Sequence, residues 1–250
     1  MSAVRLGEYV WLVGTPDEQS PAFTSPYDSN QYLLWTGTRG VLIDAGTGLA
    51  ADAWYANVAA VADPGAIDVV LVTHYHGDHA GGAAAAAAYG WTIAADEVTA
   101  NALAAGDETV TQVARARELG IYPPEFSLTA HAPERVLGDG EQIDLPGIRV
   151  TSIAAPGHCD GHVVFLVEGT AGRALFTGDV LFAGGLVSLQ AIPDCRLDRY
   201  AESVIALAAL GVDQLFPGHG RPVLHDAGTE VRAAAASFER LIPPRNVLNP

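Results

Sequence analysis

The sequence feature that most constrains the fold is a cluster of histidines directly after a short apolar run. Val69–Val72 has the β-branched composition of a buried strand. The seven residues that follow are Thr73-His74-Tyr75-His76-Gly77-Asp78-His79. Alternate side chains of an extended chain point the same way, so the first two histidines should lie together. A turn at the glycine would aim the aspartate and the third histidine at a neighbouring point, which predicts ligand groups for two metal sites.

Three further candidate ligands each lie just beyond a predicted strand. The strands are Ile148–Ile153, Ala174–Phe176 and Gln214–Phe216, and the segments after them are Pro156-Gly157-His158, Thr177-Gly178-Asp179 and Pro217-Gly218-His219. A glycine beside each ligand lets the backbone turn tightly and leaves the ligand at the loop edge. If the strand ends meet on one sheet edge, seven side chains converge there. Asp179 has two oxygens and can bridge two ions about 3.5–4 Å apart.

The remaining patterning predicts alternating strands and helices. Further strands are predicted at Tyr9–Val13, Tyr32–Trp35, Val41–Ile43 and Val163–Val167, and alanine-rich stretches predict helices at 49–62, 80–89, 96–119, 198–210 and 227–242. The element order in one half repeats in the other, and no linker separates them. We therefore expect a single α/β domain over residues 1–250. The segment 95–135 falls between the two groups of ligands and is a candidate helical lid.

Composition excludes several classes of function. The chain has 250 residues, a formal net charge of −16 and no lysine, its 13 basic residues all being arginine. Without a basic cluster it is a poor binder of nucleic acid. It has no apolar run of about 18 residues and its start lacks the apolar core of a secretory signal, so we expect a cytoplasmic protein that does not enter membranes. Cys159 and Cys195 are expected to be free thiols rather than a disulfide framework.

With these motifs the chain resembles the metallo-β-lactamase-fold hydrolases. The segments that carry the resemblance are Ser29–Leu33, Val41–Gly46, Thr73–Gly82, Pro156–His158, Phe176–Asp179 and Phe216–Gly220. The resemblance extends over about residues 9–225, nearly the whole chain. It implies an αββα sandwich of two packed mixed β-sheets, with helices on the outer faces and metals at one edge.

The resemblance also implies a set of ligands. The first ion would be held by His74, His76 and His158, the second by Asp78, His79 and His219, and Asp179 would bridge them. Two divalent ions are implied, with zinc favoured and iron or manganese as alternatives. Their shared hydroxide would attack the carbonyl carbon of a small, neutral-to-apolar ester, thioester or lactone. We expect Asp78, as a proton shuttle, and His219 to be catalytic.

Residues near the motifs receive secondary interpretations. Asp44 is expected to hydrogen-bond a metal ligand or a loop, and His162 to support a ligand or begin a helix. His131 and His225 are interpreted as solvent-facing or core-edge residues, and Cys159 as a small buried one. If the lid folds over the metals, an apolar pocket would be lined by Tyr122, Phe126, Phe182 and Leu186.

Several alternatives stay open within this resemblance. Gly178–Gly185 is similar to the corresponding segment of glyoxalase II, but those enzymes add a C-terminal helical region with basic residues for glutathione, and with no lysine in this chain we do not expect glutathione specificity. Acyl-homoserine-lactone lactonases usually place a tyrosine three residues after the bridging aspartate, where this chain has Phe182. An iron-dependent sulfur dioxygenase fits the same ligands. A metal-binding protein without catalysis would be expected to have a damaged ligand set, and a homodimer is also open.

Overall fold

The computed structural model describes residues 3–247. Its strands are β1 (Val4–Arg5), β2 (Val10–Gly14), β3 (Gln31–Trp35), β4 (Gly40–Ile43), β5 (Ile67–Leu71), β6 (Thr92–Ala95), β7 (Arg135–Val136), β8 (Gln142–Leu145), β9 (Ile148–Ala154), β10 (Val163–Gly169), β11 (Gly172–Gly178) and β12 (Gln214–Pro217). Its α-helices are α1 (Ala51–Ala59), α2 (Gly77–Ala80), α3 (Ala83–Ala88), α4 (Glu97–Ala105), α5 (Val113–Glu118), α6 (Leu197–Leu207) and α7 (Ala227–Glu239). The chain divides between Leu137 and Gly138 into two compact units, and each is described by itself.

The first unit contains a seven-stranded mixed sheet in the order β1 to β7. The pairs from β1 to β4 are antiparallel, and those from β4 to β7 are parallel. In the parallel pair β4–β5, Ile43 lies opposite Leu71. The residues that follow these two strands therefore leave the same edge of the sheet side by side, and they include Asp44 and the histidine motif.

Small side chains let the helices of the first unit pack closely on its sheet. Helix α3 consists of six alanines, and it contacts β6. Ala83 and Ala86 are the buried residues of this helix. On α1, Trp54 and Val58 are buried in the same core. The alanine run is therefore a packed structural helix, because only small side chains allow such a close approach.

The second unit contains a five-stranded mixed sheet in the order β12-β11-β10-β9-β8. The parallel pair β11–β12 sets Gly178 opposite Pro217, and the antiparallel pair β9–β10 sets Ala154 opposite Val163. The segments after β9, β11 and β12 consequently leave one edge of this sheet. Helices α6 and α7 contact each other and bury apolar faces in the core of the unit.

The strands and helices that the sequence predicted are present, but four strands were missed. The missed strands are β1, β6, β7 and β8. The region 96–119 forms two helices, since α4 ends at Ala105 and is followed by Gly106, whose left-handed φ of 62° caps it. The helix expected over 80–89 is preceded by α2, so Asp78 and His79 lie on a helical turn. The expected α/β class with two mixed sheets is confirmed, whereas the single domain and the lid stay predictions.

No helix within residues 3–247 combines the length and apolar character needed to cross a membrane.

Candidate metal centre

Three histidines and an aspartate of the motif lie together in the first unit. The ring centroids of His74 and His76 are 4.6 Å apart, and those of His74 and His79 are 4.2 Å apart. All three imidazoles are buried. Asp78 follows on the turn of α2, where its Oδ2 lies 3.7 Å from Nε2 of His79. Burying this many polar rings is costly unless they have strong partners, which favours a cation as their common ligand.

Asp44 orients two histidines of this cluster through contacts at their Nδ1 atoms. Its Oδ2 lies 2.8 Å from Nδ1 of His79, and its Oδ1 accepts from the Thr73 N–H at 2.8 Å. The Thr73 hydroxyl is 3.0 Å from both Asp44 oxygens and 3.0 Å from Nδ1 of His74. Because a carboxylate only accepts, both rings donate from Nδ1, one directly and one through Thr73, which leaves their Nε2 lone pairs for a metal. Asp44 thus hydrogen-bonds the loop that follows β5 and the candidate ligand His79, as expected for it.

The turn that carries Asp78 is packed against the segment 95–135. A Cβ added at Gly77 would lie 2.7 Å from Val113 and 3.3 Å from both Phe126 and Tyr122. The Gly77 N–H donates to the Thr111 carbonyl at 3.2 Å. Gly77 is thus required for the close packing of this turn, although its φ is not positive.

In the second unit, two predicted histidine ligands lie close to the carboxylate of the third predicted ligand, Asp179. Oδ2 of Asp179 lies 3.6 Å from Nε2 of His158, and Oδ1 lies 3.6 Å from Nε2 of His219. The parallel pairing of β11 with β12 explains this proximity, since Gly218 also donates to the Gly178 carbonyl at 2.8 Å. Each oxygen of Asp179 therefore faces a different imidazole.

The ligand loops of the second unit are fixed by Tyr200 of α6. Its hydroxyl donates toward the carbonyls of Asp179 (2.8 Å) and Val180 (2.6 Å) and accepts from the Ser188 N–H at 3.0 Å. Burial raises the pKa of Tyr200 well above its ordinary value, so the phenol keeps its proton. The Ser188 carbonyl in turn lies 3.0 Å from Nδ1 of His158. A carbonyl only accepts, so the His158 lone pair is on Nε2.

His162 also contacts the backbone of Asp179. The Asp179 N–H donates to Nε2 of His162 at 3.1 Å, so His162 would support Asp179 if Asp179 is a ligand, which is one of the two roles that the sequence predicted. Neither Tyr200 nor Ser188 was predicted, since no local pattern distinguishes a buried tyrosine on an amphipathic helix or a serine in a loop.

We expect Gly157→Ala to destabilise the second unit by about 3 kcal/mol or more. Gly157 has a φ of 137°, and an added Cβ would lie 2.4 Å from backbone atoms of Tyr200. A left-handed residue other than glycine costs about 1–3 kcal/mol, and the overlap adds to that. Thermal unfolding would measure the loss. Gly140→Ala is the matched control, because Gly140 has a φ of 76° with nothing within 4 Å. Equal stability of the two variants would contradict the prediction.

The distances between carboxylates and imidazoles fit ligands of a common ion better than direct hydrogen bonds. The three N···O separations are 3.6–3.7 Å, whereas N–H···O bonds are about 2.7–3.2 Å. Two atoms that are each about 2.0–2.2 Å from a tetrahedral zinc lie about 3.3–3.6 Å apart. An imidazole lone pair and a carboxylate oxygen that face each other repel, and a cation between the two atoms turns this repulsion into attraction. The donor sets of both units therefore fit divalent metal.

The other predicted residues lie as follows. Cys159 is buried and Cys195 is partly buried; burial raises the pKa of the Cys195 thiol. His131 pairs with Glu134 at 3.1 Å and His225 is exposed, as expected for residues at the edge of the core or in solvent. Tyr122 and Phe126 are buried in the first unit, and Phe182 is buried in the second. The apolar pocket that was expected from them stays a prediction.

Comparison with known proteins places these features in a family. The model of the metallo-beta-lactamase superfamily matches residues 24–219. Acyl-coenzyme A thioesterase MBLAC2 of Bos taurus is 31% identical over 221 residues, covering 80% of this chain and 76% of that protein. Lactamase-like protein nscB of Aspergillus fumigatus is 32% identical over 194 residues, covering 77% of this chain and 48% of that protein. The chain thus spans about half the length of this fungal relative.

A solved structure gives the same result for the fold. A HARLDQ-motif mutant of a metallo-beta-lactamase from Cronobacter sakazakii superposes with a TM-score of 0.72 at 23% identity, and the match covers 96% of each chain. At that identity the likeness concerns the fold alone. Together with the match of the family model over well over half of the sequence, it confirms the resemblance that the motifs indicated. This chain belongs to the metallo-beta-lactamase superfamily.

Proposed function

We propose that this protein is a dinuclear metal-dependent hydrolase that cleaves thioesters, with small esters and lactones as related substrates. The observation that carries the proposal is the position of Asp179. One of its oxygens faces His158 and the other faces His219, each at 3.6 Å. A carboxylate held between two imidazoles in this way has the arrangement that a bridging ligand requires.

The ligand assignment follows from this position of Asp179. We assign the first ion to His74, His76, His158 and Asp179, and the second to Asp78, His79, His219 and Asp179. Zinc is the proposed metal, because imidazole nitrogen and carboxylate oxygen are its usual ligands, and iron or manganese are the alternatives. The position of His158 and His219 on opposite oxygens of Asp179 supports their assignment to different ions.

Divalent ions at these positions supply a water of lowered pKa and polarise a substrate carbonyl. The residues of the chain then differ in what they can reach. The side chain of Asp78 is 20% exposed and that of His219 is 34% exposed, whereas His74, His79 and His158 are fully buried. Asp78 and His219 are therefore the ligands that a substrate can approach. We propose that Asp78 takes the proton of the attacking water and delivers it to the leaving group, and that His219 contacts the substrate.

The residue three positions after Asp179 favours a thioester among the possible substrates. Phe182 is buried and has no proton to donate. An alkoxide leaving group depends on an acid, which only Asp78 is proposed to supply, whereas a thiol has a pKa of about 8.5 and departs readily as the thiolate without one. The relative from Bos taurus is named as an acyl-coenzyme A thioesterase, which supports the same choice. A cytoplasmic location is part of the proposal, since two cysteines are too few for the disulfide framework typical of exported domains.

The test is a panel of acyl-thioesters and matched oxygen esters, assayed before and after removal of metal by a chelator. We expect release of free thiol from the thioesters at a rate well above that for the esters. Chelation should abolish it, and added Zn²⁺ should restore it, because the water is activated only by bound metal.

Two outcomes would contradict this proposal. Hydrolysis that is unaffected by thorough metal removal would exclude the metal-dependent mechanism. Oxygen consumption with a persulfide substrate, without thioester hydrolysis, would identify the sulfur dioxygenase instead. Metal content measured on the same samples gives the number of ions, which we expect to be two per chain.

A further inference from the structure

A tyrosine of the segment 95–135 binds the aspartate of the histidine motif. The Tyr122 hydroxyl donates to Oδ1 of Asp78 at 3.0 Å. The other oxygen, Oδ2, lies 3.7 Å from Nε2 of His79. The two oxygens of this carboxylate therefore have different surroundings, since one accepts from a phenol and the other lies beside a proposed metal ligand.

The ring of Tyr122 is held in place independently of its hydroxyl. The residue is only 8% exposed. Its ring packs edge-on against Phe126, with centroids 5.0 Å apart, and against Tyr27, with centroids 6.5 Å apart. Its backbone N–H donates to the Ala116 carbonyl at 3.2 Å. Removing the hydroxyl alone should leave the ring where it is.

The loop that carries Tyr122 is closed by a salt bridge. The guanidinium of Arg117 pairs with the Glu108 carboxylate and donates to the Phe126 carbonyl at 2.6 Å. Glu108 also accepts from the Leu128 N–H at 3.0 Å. The hydrogen bond from Arg117 holds the pKa of Glu108 below its usual value. These contacts fix the conformation of residues 108–128, which include α5, and they hold the Tyr122 phenol in a defined position on Asp78.

We propose that Tyr122 is a positioning residue that makes Asp78 a metal ligand through one oxygen, Oδ2, on the side of His79. A carboxylate can bind a metal through one or both oxygens, and a hydrogen bond to one oxygen orients the other. This inference rests on the proposed metal site. Because loss of a partner that orients a ligand typically costs about 10–100-fold in metal affinity, the hydroxyl should have an effect of that size.

The experiment is Tyr122→Phe in the full chain, with Zn²⁺ affinity measured by competition with a chromophoric chelator. We expect the weaker-binding Zn²⁺ of the two to lose about 10–100-fold in affinity, while the thermal stability of the metal-free protein stays close to that of wild type. The absorption spectrum of bound Co²⁺ should also change, since the coordination of Asp78 is no longer fixed. Tyr27→Phe is the matched control, because it removes a hydroxyl from the adjacent ring and leaves the bond to Asp78 in place.

A double-mutant comparison separates positioning from a general loss of structure. In an Asp78→Asn background, Tyr122→Phe should cause no further loss of Zn²⁺ affinity if the hydroxyl acts through the carboxylate. An equal loss in both backgrounds, or unchanged affinity in the single variant, would overturn the inference. If the wild-type chain binds no Zn²⁺, it is the proposed function that fails. Normal binding by wild type with no effect of Tyr122→Phe refutes only the role of Tyr122.

Discussion

Asp179→Ala is expected to abolish thioester hydrolysis and to reduce the metal content of the protein below two ions per chain. The variant removes both oxygens that face His158 and His219. The loss of activity should exceed the roughly 10–100-fold typical for residues that only orient a ligand, because a ligand of both proposed ions is lost. Steady-state kinetics and elemental analysis of the same preparation measure the two effects.

Asp160→Ala is the matched control for Asp179→Ala. Asp160 lies two residues after His158 and is exposed, and its contact with Arg196 is a long one of 3.6 Å. It changes the net charge of the second unit by the same amount without removing a ligand, so activity and metal content should stay close to wild type. Full turnover by Asp179→Ala with two bound ions would refute the bridging role.

Asp44→Ala is expected to destabilise the metal-free protein by about 3–5 kcal/mol and to impair binding of metal. Asp44 is buried and accepts from the Thr73 backbone, the Thr73 hydroxyl and Nδ1 of His79. Removing one partner from a buried polar network leaves the others without their acceptor, which has costs of this size. Asp44 also has a φ of 62°, a left-handed conformation that aspartate tolerates better than alanine does. Chemical denaturation of the metal-free variant measures the destabilisation.

Asp44→Asn separates the backbone effect from the loss of the carboxylate. Asparagine tolerates the left-handed conformation and keeps one acceptor oxygen, but its amide cannot accept from both Thr73 and His79. We expect a smaller destabilisation than for alanine, together with a clear loss of Zn²⁺ affinity. If Asp44→Asn binds Zn²⁺ as tightly as wild type, the carboxylate does not orient the histidines.

The candidate ligands could be picked out from sequence because each is part of a short local pattern. His74 to His79 occupy six consecutive positions after a strand, and the later ligands each follow a glycine at a strand end. The role of Asp44 was also accessible, since it lies at the end of a predicted strand. Parallel strands leave their sheet at a common edge, so the positions after them are neighbours.

The supporting contacts were not predictable because they join residues that are far apart in sequence. Tyr122 reaches Asp78 across 44 positions, and Tyr200 reaches Asp179 across 21. Neither tyrosine differs locally from an ordinary core residue. The sequence predicted the turn at Gly77 but not its close packing against Val113, Tyr122 and Phe126, which are distant in sequence. Strands of two residues such as β1 and β7 are too short to show alternation.

The role of α6 has a consequence for how this protein can change its substrate. One phenol of the helix anchors the loops of Asp179 and Ser188, and its backbone lies against Gly157. A displacement of the helix would therefore shift both His158 and Asp179 at once. Variants that alter α6 are expected to lose activity toward every substrate together, so new preferences should evolve through substitutions elsewhere in the chain.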